Sequence, residues 1–195
     1  MGILEISWRN KNMPDIKLIE PTLDYEDDIW RFRQEIIDSD DTDKFAGCGN
    51  LEECSSVKEW IDTIRVESNI ELCPKDKVPS TIYIAVRLHD NKIVGIIDLR
   101  YHINHPILST WGGHMGYYVR SCERRNGYAT EMLRKNLLNC NRLGIEKVLI
   151  TCGASNYASE KAIVANGGVF EKQIEVDGEI IKRFWITIKY KDTYI

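Results

Sequence analysis

Two adjacent arginines and a glycine lie at the junction between a predicted strand and a predicted helix. The junction reads Arg124-Arg125-Asn126-Gly127-Tyr128-Ala129. The first backbone N–H groups of a helix have no partner inside the helix, and they lie at the positive end of the helix dipole. Phosphate groups bind at such helix starts, and the two arginines raise the local positive potential. The residue types and their order therefore predict a phosphate site.

The elements on either side of this turn must hold it in place. Tyr117, Tyr118 and Val119 favour an extended backbone, so a strand is predicted before the turn. After the turn, apolar residues recur every three or four positions, which predicts a helix with one buried face, and Gly144 follows as a C-terminal cap. These apolar residues are Ala129, Met132, Leu133, Leu137, Cys140 and Leu143.

Length, charge and cysteine spacing limit the classes of protein that this sequence can encode. With 195 residues, 43% of them hydrophobic, the chain is predicted to form one domain over residues 1–195, with residues 1–14 as a tail or an edge element. A formal net charge of −4 disfavours nucleic-acid binding, and no apolar run approaches the roughly 18 residues of a membrane helix. The six cysteines lack metal-binding spacings, so we predict reduced thiols, no metal site and a cytoplasmic protein.

The order of predicted elements indicates the fold class. A strand and two helices come first, followed by three antiparallel strands, a helix, a buried strand, a short helix and a hairpin. Apart from the strand and helix on either side of the turn, the predicted strands are 16–21, 80–89, 92–104, 147–152, 169–176 and 179–188. The other predicted helices are 22–38, one capped at Ser55 or Ser56, and 156–166. This order predicts an α+β fold in which helices flank a mixed, mostly antiparallel twisted sheet.

The turn and its surroundings resemble a known family. The pattern Arg124-x-x-Gly127-x-Ala129 resembles the R/Q-x-x-G-x-G/A motif of the GNAT acetyltransferases. It follows a strand reading GYYVR and precedes an amphipathic helix, a buried strand and a short helix that carries Asn156 and Ser159. That order is similar to the cofactor-binding half of the family, and the resemblance covers residues 16–188.

The resemblance implies acetyl-CoA as the cofactor and a GNAT fold. It implies that backbone groups of the strand bind the pantetheine arm, that amides of residues 125–130 bind the pyrophosphate, and that Asn156, with Ser159 near it, contacts the pantetheine end. An extended ligand rich in amides suits an unpaired strand edge, and a diphosphate suits a helix start. The implied cofactor-binding residues are Tyr118, Val119, Arg120, Arg124, Arg125, Asn126, Gly127, Tyr128, Ala129, Thr130, Asn156 and Ser159. A surface arginine pair and a simple helix cap at Asn156 are the structural alternatives.

The chemistry that the resemblance implies is direct attack of an amine on the thioester, which requires a path for the amine proton. Asp98, Arg100, His102 and Asn104 alternate along one predicted strand and so share one side of it. We predict Asp98 and His114 as general-base candidates, and Arg100 and His102 as substrate-binding residues. A structural histidine and an Asp98–Arg100 ion pair are the alternatives.

Two further features concern the acid and the acceptor. Many family members carry a tyrosine four residues before the glycine that ends the last short helix, but this sequence has Ile163 there, so Tyr157 or Tyr117 would have to replace it. An acidic loop could attract a cationic amine or could simply be solvated: Asp38, Asp40, Asp41, Asp43, Glu52 and Glu53. Aromatic residues could line the acceptor side or could be core residues: Trp30, Phe32, Phe45 and Trp60.

The sequence therefore predicts an acetyl-CoA-dependent N-acetyltransferase that acts on a primary amine of a small molecule or a peptide. We predict no nucleic-acid or membrane partner, and a monomer or a homodimer. A non-catalytic acyl-CoA-binding sensor is the main alternative, because the family's tyrosine is replaced. A phosphate-dependent nucleotide-binding module is disfavoured, since the sequence has no Walker motif and no G-x-G-x-x-G motif.

Overall fold

The structure is a computed structural model that describes residues 13–188. Its strands are β1 (Ile16–Ile19), β2 (Ser80–Arg87), β3 (Ile93–Arg100), β4 (Tyr117–Val119), β5 (Lys147–Gly153), β6 (Val169–Val176) and β7 (Glu179–Thr187). Its α-helices are α1 (Glu26–Ile37), α2 (Val57–Ser68), α3 (Tyr128–Arg142) and α4 (Tyr157–Ala165). Of the predicted tail or edge element in residues 1–14, all but Met13 and Pro14 lies outside the described residues.

The strands form two antiparallel sheets, with the orders β1-β2-β3-β4 and β5-β7-β6. The predicted α+β class with antiparallel strands and flanking helices is confirmed. The resemblance implied an unpaired strand edge at β4, and the sheets do divide between β4 and β5. The two sheets are joined just before β4, where the His114 N–H donates to the Leu149 carbonyl oxygen at 2.8 Å. Beyond this point β4 and β5 are not paired, so a groove begins between them.

Strand β3 is the centre of the first sheet and fixes the position of β4. Every residue from Ile93 to Leu99 is buried. Side chains alternate between the faces of a strand, so Ile96 packs with the cluster that includes α1 and α2, and Ile97 packs with the cluster that includes α3 and α4. Each such side chain contributes roughly 1.5–3 kcal/mol through burial. The buried strand therefore holds β4 rigidly beside the groove.

Helix starts show where local sequence signals succeeded and failed. Ser56 accepts the Glu59 N–H at 3.2 Å and so caps the second helix as predicted, and the Glu59 carboxylate accepts the N–H of the preceding Ser55 at 2.9 Å. The first helix was predicted to span 22–38, but a short 3₁₀ turn follows Thr22 and the α-helix begins at Glu26 without a side-chain cap.

Two other regions differ from their predicted form. Strand β3 ends at Arg100 rather than at Asn104, and a π-helical segment at Leu108–Gly112 leads to β4. Among residues 13–188, the structure contains no helix long and apolar enough to span a membrane.

Candidate cofactor and active site

The predicted phosphate turn leads from β4 into α3. A short 3₁₀ turn at Ser121–Glu123 is followed by Arg125 and Gly127, both with positive φ values, 65° and 80°. Helix α3 begins directly afterwards. The first helical hydrogen bond at its start runs from the Glu131 N–H to the carbonyl oxygen of Gly127, the residue before the helix. Within residues 13–188, the backbone N–H groups of residues 125–130 have no hydrogen-bond acceptor. This row of free donors at a helix start suits a diphosphate.

A buried ion pair holds this turn against the first sheet. The Glu123 carboxylate accepts from Arg87 Nη1 at 2.6 Å and from Lys92 Nζ at 3.2 Å. Burial opposes ionisation of this group, but the two cations outweigh burial and lower the pKa of Glu123. Arg87 also donates to Tyr128 Oη at 3.1 Å, so the same cluster fixes the first residue of α3. The donors of the turn are thus preorganised.

The hydrogen bonding of β4 argues against one of the predicted backbone contacts to the cofactor, the contact at Tyr118. Even-numbered residues bond to β3, as the Asp98 N–H to Gly116 oxygen bond and the Arg120 N–H to Val94 oxygen bond show. In an antiparallel pair the intervening residues direct their N–H and C=O groups away from the partner strand. The Tyr118 backbone, which pairs with Ile96, therefore faces β3 and not a ligand.

Val119 has the opposite orientation. Its N–H and C=O groups point toward the groove by the same alternation, and its carbonyl oxygen accepts from Arg124 Nε at 3.1 Å. Of the three predicted backbone contacts to the cofactor, only the one at Val119 has groups directed to the groove. That contact remains a prediction.

Arg120 is internally paired through both its backbone and its side chain. Its carbonyl oxygen accepts the Glu123 N–H, and its N–H is bonded to Val94. Its side chain is 1% exposed and lies 2.9 Å from Asp28 Oδ1 and 2.8 Å from Glu35 Oε2. The contact with Glu35 is close enough for an ion pair but is not aligned as a hydrogen bond. The predicted role of Arg120 in cofactor binding is therefore not supported by its geometry.

Arg124 makes a two-pronged contact with a residue far away in sequence. Its Nη1 and Nη2 atoms lie 2.9 Å and 2.6 Å from the two carboxylate oxygens of Asp41. The Tyr118 hydroxyl donates to the same carboxylate, and the Arg124 guanidinium stacks 5.1 Å from the Tyr118 ring centre. The Arg124 hydrogen bonds outweigh burial and hold the pKa of Asp41 far below its usual range.

Asn156 and Ser159 lie at the start of α4, on the other side of the groove. The Asn156 Oδ1 atom accepts the Ser159 N–H at 3.0 Å, which is the helix cap that was the structural alternative. Its Nδ2 atom donates to Asp43 Oδ2 at 3.1 Å. The Ser159 hydroxyl lies 2.5 Å from the Tyr117 hydroxyl of β4. These contacts bring together residues of β4, α4 and the acidic loop.

His114 links the two sheets through its side chain as well as its backbone. The Leu149 N–H donates to His114 Nδ1 at 3.0 Å, and the residue is 5% exposed. Burial lowers the pKa of His114 to about 4. A neutral ring that accepts at Nδ1 carries its proton on Nε2. The ring thus acts as a structural bridge here, and its role as a general base remains a prediction.

We expect His114 to make the stability of the protein depend on pH. Between about pH 7 and about pH 5 an unfolded histidine takes up a proton and this buried one does not, so the free energy of unfolding should fall by roughly 2 kcal/mol as pH falls. Urea unfolding at the two pH values measures this change. His114→Asn keeps an acceptor for the Leu149 N–H but cannot titrate, so its loss over the same range should be smaller. An equal loss in both proteins would contradict the assignment.

The remaining predicted site residues are held in structural contacts or lie apart from the groove. Asp98 is buried, accepts the Gly116 N–H at 2.5 Å and pairs with Arg100 at 2.9 Å. Burial raises the pKa of Asp98, and Arg100 opposes this shift. Arg100 also donates to the Gly112 carbonyl oxygen at 2.7 Å. His102 is exposed beyond the end of β3. The predicted roles in catalysis and substrate binding remain predictions.

The aromatic residues considered for the acceptor side are mainly core residues. Phe32, Phe45 and Trp60 are buried, and the Trp60 Nε1–H donates to the Cys48 carbonyl oxygen at 2.9 Å. Trp30 is 38% exposed and packs under Arg33. Sequence reasoning missed the contacts of Asp41 and Asp43 with the turn and with α4. No local signal could have found them, because the partners are 83 and 113 residues apart.

Comparisons with known proteins identify the same fold. MccE, the microcin self-immunity acetyltransferase solved with acetyl-CoA and AMP, aligns with a TM-score of 0.61 and 17% identity, covering 89% of this chain and 93% of that one. The ribosomal-protein acetyltransferase RimL, solved with coenzyme A, aligns with a TM-score of 0.60 and 16% identity, covering 89% of this chain and 94% of that one. An N-acetyltransferase from Staphylococcus aureus aligns with a TM-score of 0.62 and 12% identity, covering 90% of this chain and 99% of that one. At these identities the likeness shows the fold alone.

The sequence comparison shows more than the fold. No curated protein matches the chain significantly. The family model described as "Acetyltransferase (GNAT) domain" matches residues 18–169, which span most of the chain and include β4, the phosphate turn and α4. With the free donors at the start of α3 and the division of the sheets beside Val119, this match identifies the chain as a member of the GNAT acetyltransferase family.

Proposed function

We propose that this protein transfers the acetyl group of acetyl-CoA to a primary amine of a small molecule or a peptide. The observation that carries the proposal is the row of N–H donors in residues 125–130 that have no acceptor within residues 13–188, next to the outward-facing backbone of Val119. The oxygens of a diphosphate can accept from these N–H groups, and an amide of the pantetheine arm can pair with the Val119 backbone. Residues 125–130 and Val119 would hold acetyl-CoA.

When bound, acetyl-CoA supplies a thioester that an amine attacks directly, with the coenzyme A thiolate as the leaving group. The protein must then orient the amine, provide a path for the proton that the nitrogen loses as the amide forms, and allow the sulfur to gain a proton. Ile163, at the position of the family's tyrosine, is buried in the core and has no proton to give. A side-chain donor would therefore have to come from elsewhere in the groove.

Tyr117 is the tyrosine best placed for this task. Its hydroxyl lies 2.5 Å from the Ser159 hydroxyl, between β4 and the start of α4. Burial raises the pKa of Tyr117 well above its usual range, so the hydroxyl stays protonated at neutral pH and has a proton to donate. Tyr157, the other candidate, is 66% exposed and stacks with Lys182. We therefore assign proton donation to Tyr117.

We expect Tyr117→Phe to lower kcat by about tenfold, which is less than the roughly 100-fold or more that is typical for the loss of a general acid, because a thiolate is a good leaving group. The KM for acetyl-CoA should change little, since the hydroxyl contributes to the proton transfer and not to cofactor binding. Release of free thiol in the steady state measures both constants. Tyr157→Phe is the matched control and should keep the kcat of the wild type. Equal rates for all three proteins would exclude Tyr117 as the acid.

The function as a whole is tested with acetyl-CoA and a panel of amines. Release of free thiol that depends on particular small-molecule or peptide amines supports an N-acetyltransferase. Tight binding of acetyl-CoA without turnover on a broad panel would favour the alternative, a non-catalytic acyl-CoA sensor.

A further inference from the structure

The acidic loop crosses the groove that begins between the two sheets. We call residues 40–44 the strap. Its first end follows Ser39, whose hydroxyl donates to the Ile36 carbonyl oxygen at 2.8 Å at the end of α1. Its second end precedes Phe45, which is 8% exposed, and Gly47, whose backbone packs directly on Gly116 next to β4. Both ends are therefore fixed, and the residues between them are mostly exposed.

One carboxylate of the strap binds the β4 side of the groove. Asp41 accepts two hydrogen bonds from Arg124 and one from the Tyr118 hydroxyl. Through this contact Asp41 also holds the Arg124 side chain in the position where its Nε–H donates to the Val119 carbonyl oxygen at 3.1 Å. Val119 is the residue of β4 whose backbone faces the groove. With the strap in this position, the acceptor at this strand edge is already occupied.

A second carboxylate binds the opposite side. Asp43 accepts from Asn156 Nδ2 at 3.1 Å, and Asn156 caps α4 through its other side-chain atom. The strap thus joins the turn after β4 to the start of α4, over the region between them. A planar carboxylate on an arginine presents two acceptor oxygens, as a phosphate group does. Asp41 can therefore compete with an anionic ligand for Arg124.

We propose that the strap is a gate that must be released before coenzyme A enters the groove, and that the Asp41–Arg124 ion pair keeps it closed. This inference rests on the proposed function. The pair is partly solvated, with 40% of the Arg124 side chain and 26% of the Asp41 side chain exposed, so it is weak enough to exchange for a ligand. The diphosphate would compete with Asp41 for the Arg124 guanidinium. The pantetheine arm would compete with Arg124 for the Val119 carbonyl oxygen.

Asp41→Asn tests the gate, with Asp40→Asn as the matched control. Both variants remove one negative charge from the strap, but Asp40 is exposed and has no hydrogen-bond or ion-pair partner within residues 13–188. The first measurement needs no ligand: trypsin cleavage after the exposed Lys44 should be at least about threefold faster in Asp41→Asn than in the wild type. The second is the association rate of coenzyme A, which should rise about three- to tenfold in Asp41→Asn alone.

Each outcome of these two measurements decides a separate question. Equal cleavage rates in the two variants would show that the ion pair does not hold the strap. Faster cleavage with an unchanged or slower association of coenzyme A would overturn the gate, because the strap would then be open without helping entry. If no variant bound coenzyme A while Asp41→Asn was still cleaved faster, the assigned donor would be wrong, whereas the closed strap would stand.

Discussion

Gly127→Glu is expected to weaken coenzyme A binding by about 100-fold, which corresponds to roughly 3 kcal/mol. Gly127 lies between the two arginines and the start of α3, with a φ of 80°. Among the described residues, a Cβ atom there would come within 4 Å of Pro14 alone, with Cδ at 3.5 Å, so this part of the structure has space for a side chain. The new carboxylate would lie among the free N–H groups of residues 125–130. At about 4 Å from a phosphate it would be repelled by up to about 4 kcal/mol at a partly solvated site.

Gly127→Gln is the matched control because it has nearly the same shape and carries no charge. Both variants pay the cost of a side chain at positive φ, about 1 kcal/mol, so that cost cancels in their comparison. Calorimetric titration with coenzyme A should show a modest loss for Gln and a much larger one for Glu. Equal affinities for the two variants would mean that the diphosphate does not bind at this helix start.

Arg120→Ala is expected to lower the free energy of unfolding by about 3 kcal/mol. The substitution removes a buried cation from between Asp28 and Glu35, and Asp28 loses its neutralising partner while it still accepts the Ile93 N–H at 2.8 Å. Packing is lost as well, since the guanidinium lies 5.2 Å from the centre of the Phe32 ring. Because the Asp28 and Glu35 side chains keep 20% and 41% exposure, the expected loss is at the low end of the cost of breaking a buried pair.

Urea unfolding at neutral pH measures this loss, and Arg31→Ala on the exposed face of α1 is the control. The control should change stability by no more than about 0.5 kcal/mol. The coenzyme A affinity of folded Arg120→Ala should stay within about threefold of the wild type, since both backbone groups of Arg120 bond within the protein. A large loss of affinity with unchanged stability would restore the original prediction that Arg120 binds the cofactor.

Local patterns in the sequence were sufficient for the elements and for the phosphate turn. The helix cap at Ser56 and the positive φ values of Asp177 and Gly178 in the last hairpin follow from side-chain types a few residues apart. The free donors of residues 125–130 likewise follow from a glycine before an amphipathic helix. Hydrogen bonds within one turn of the chain do not depend on the rest of the fold.

Contacts across the fold could not be predicted in this way. Side-chain types gave no register, so the sequence did not reveal that Tyr118 faces β3 while Val119 faces the groove. A shift of one residue exchanges the two faces of a strand. His114 was predicted as a base from its titratable side chain and its position in the chain near the expected thioester, and neither showed that the sheet junction uses its ring as an acceptor for Leu149.

The sequence by itself determined the order of the elements, the α+β class and a helix start suited to a diphosphate. The tertiary structure decided which backbone groups of β4 remain free, which tyrosine reaches Ser159, and which acidic residues bind Arg124 and Asn156. The physical reason is the division of the sheets after His114. It opens a groove between segments that are distant in the chain, and the strap crosses that groove only because both of its ends are fixed in the folded protein.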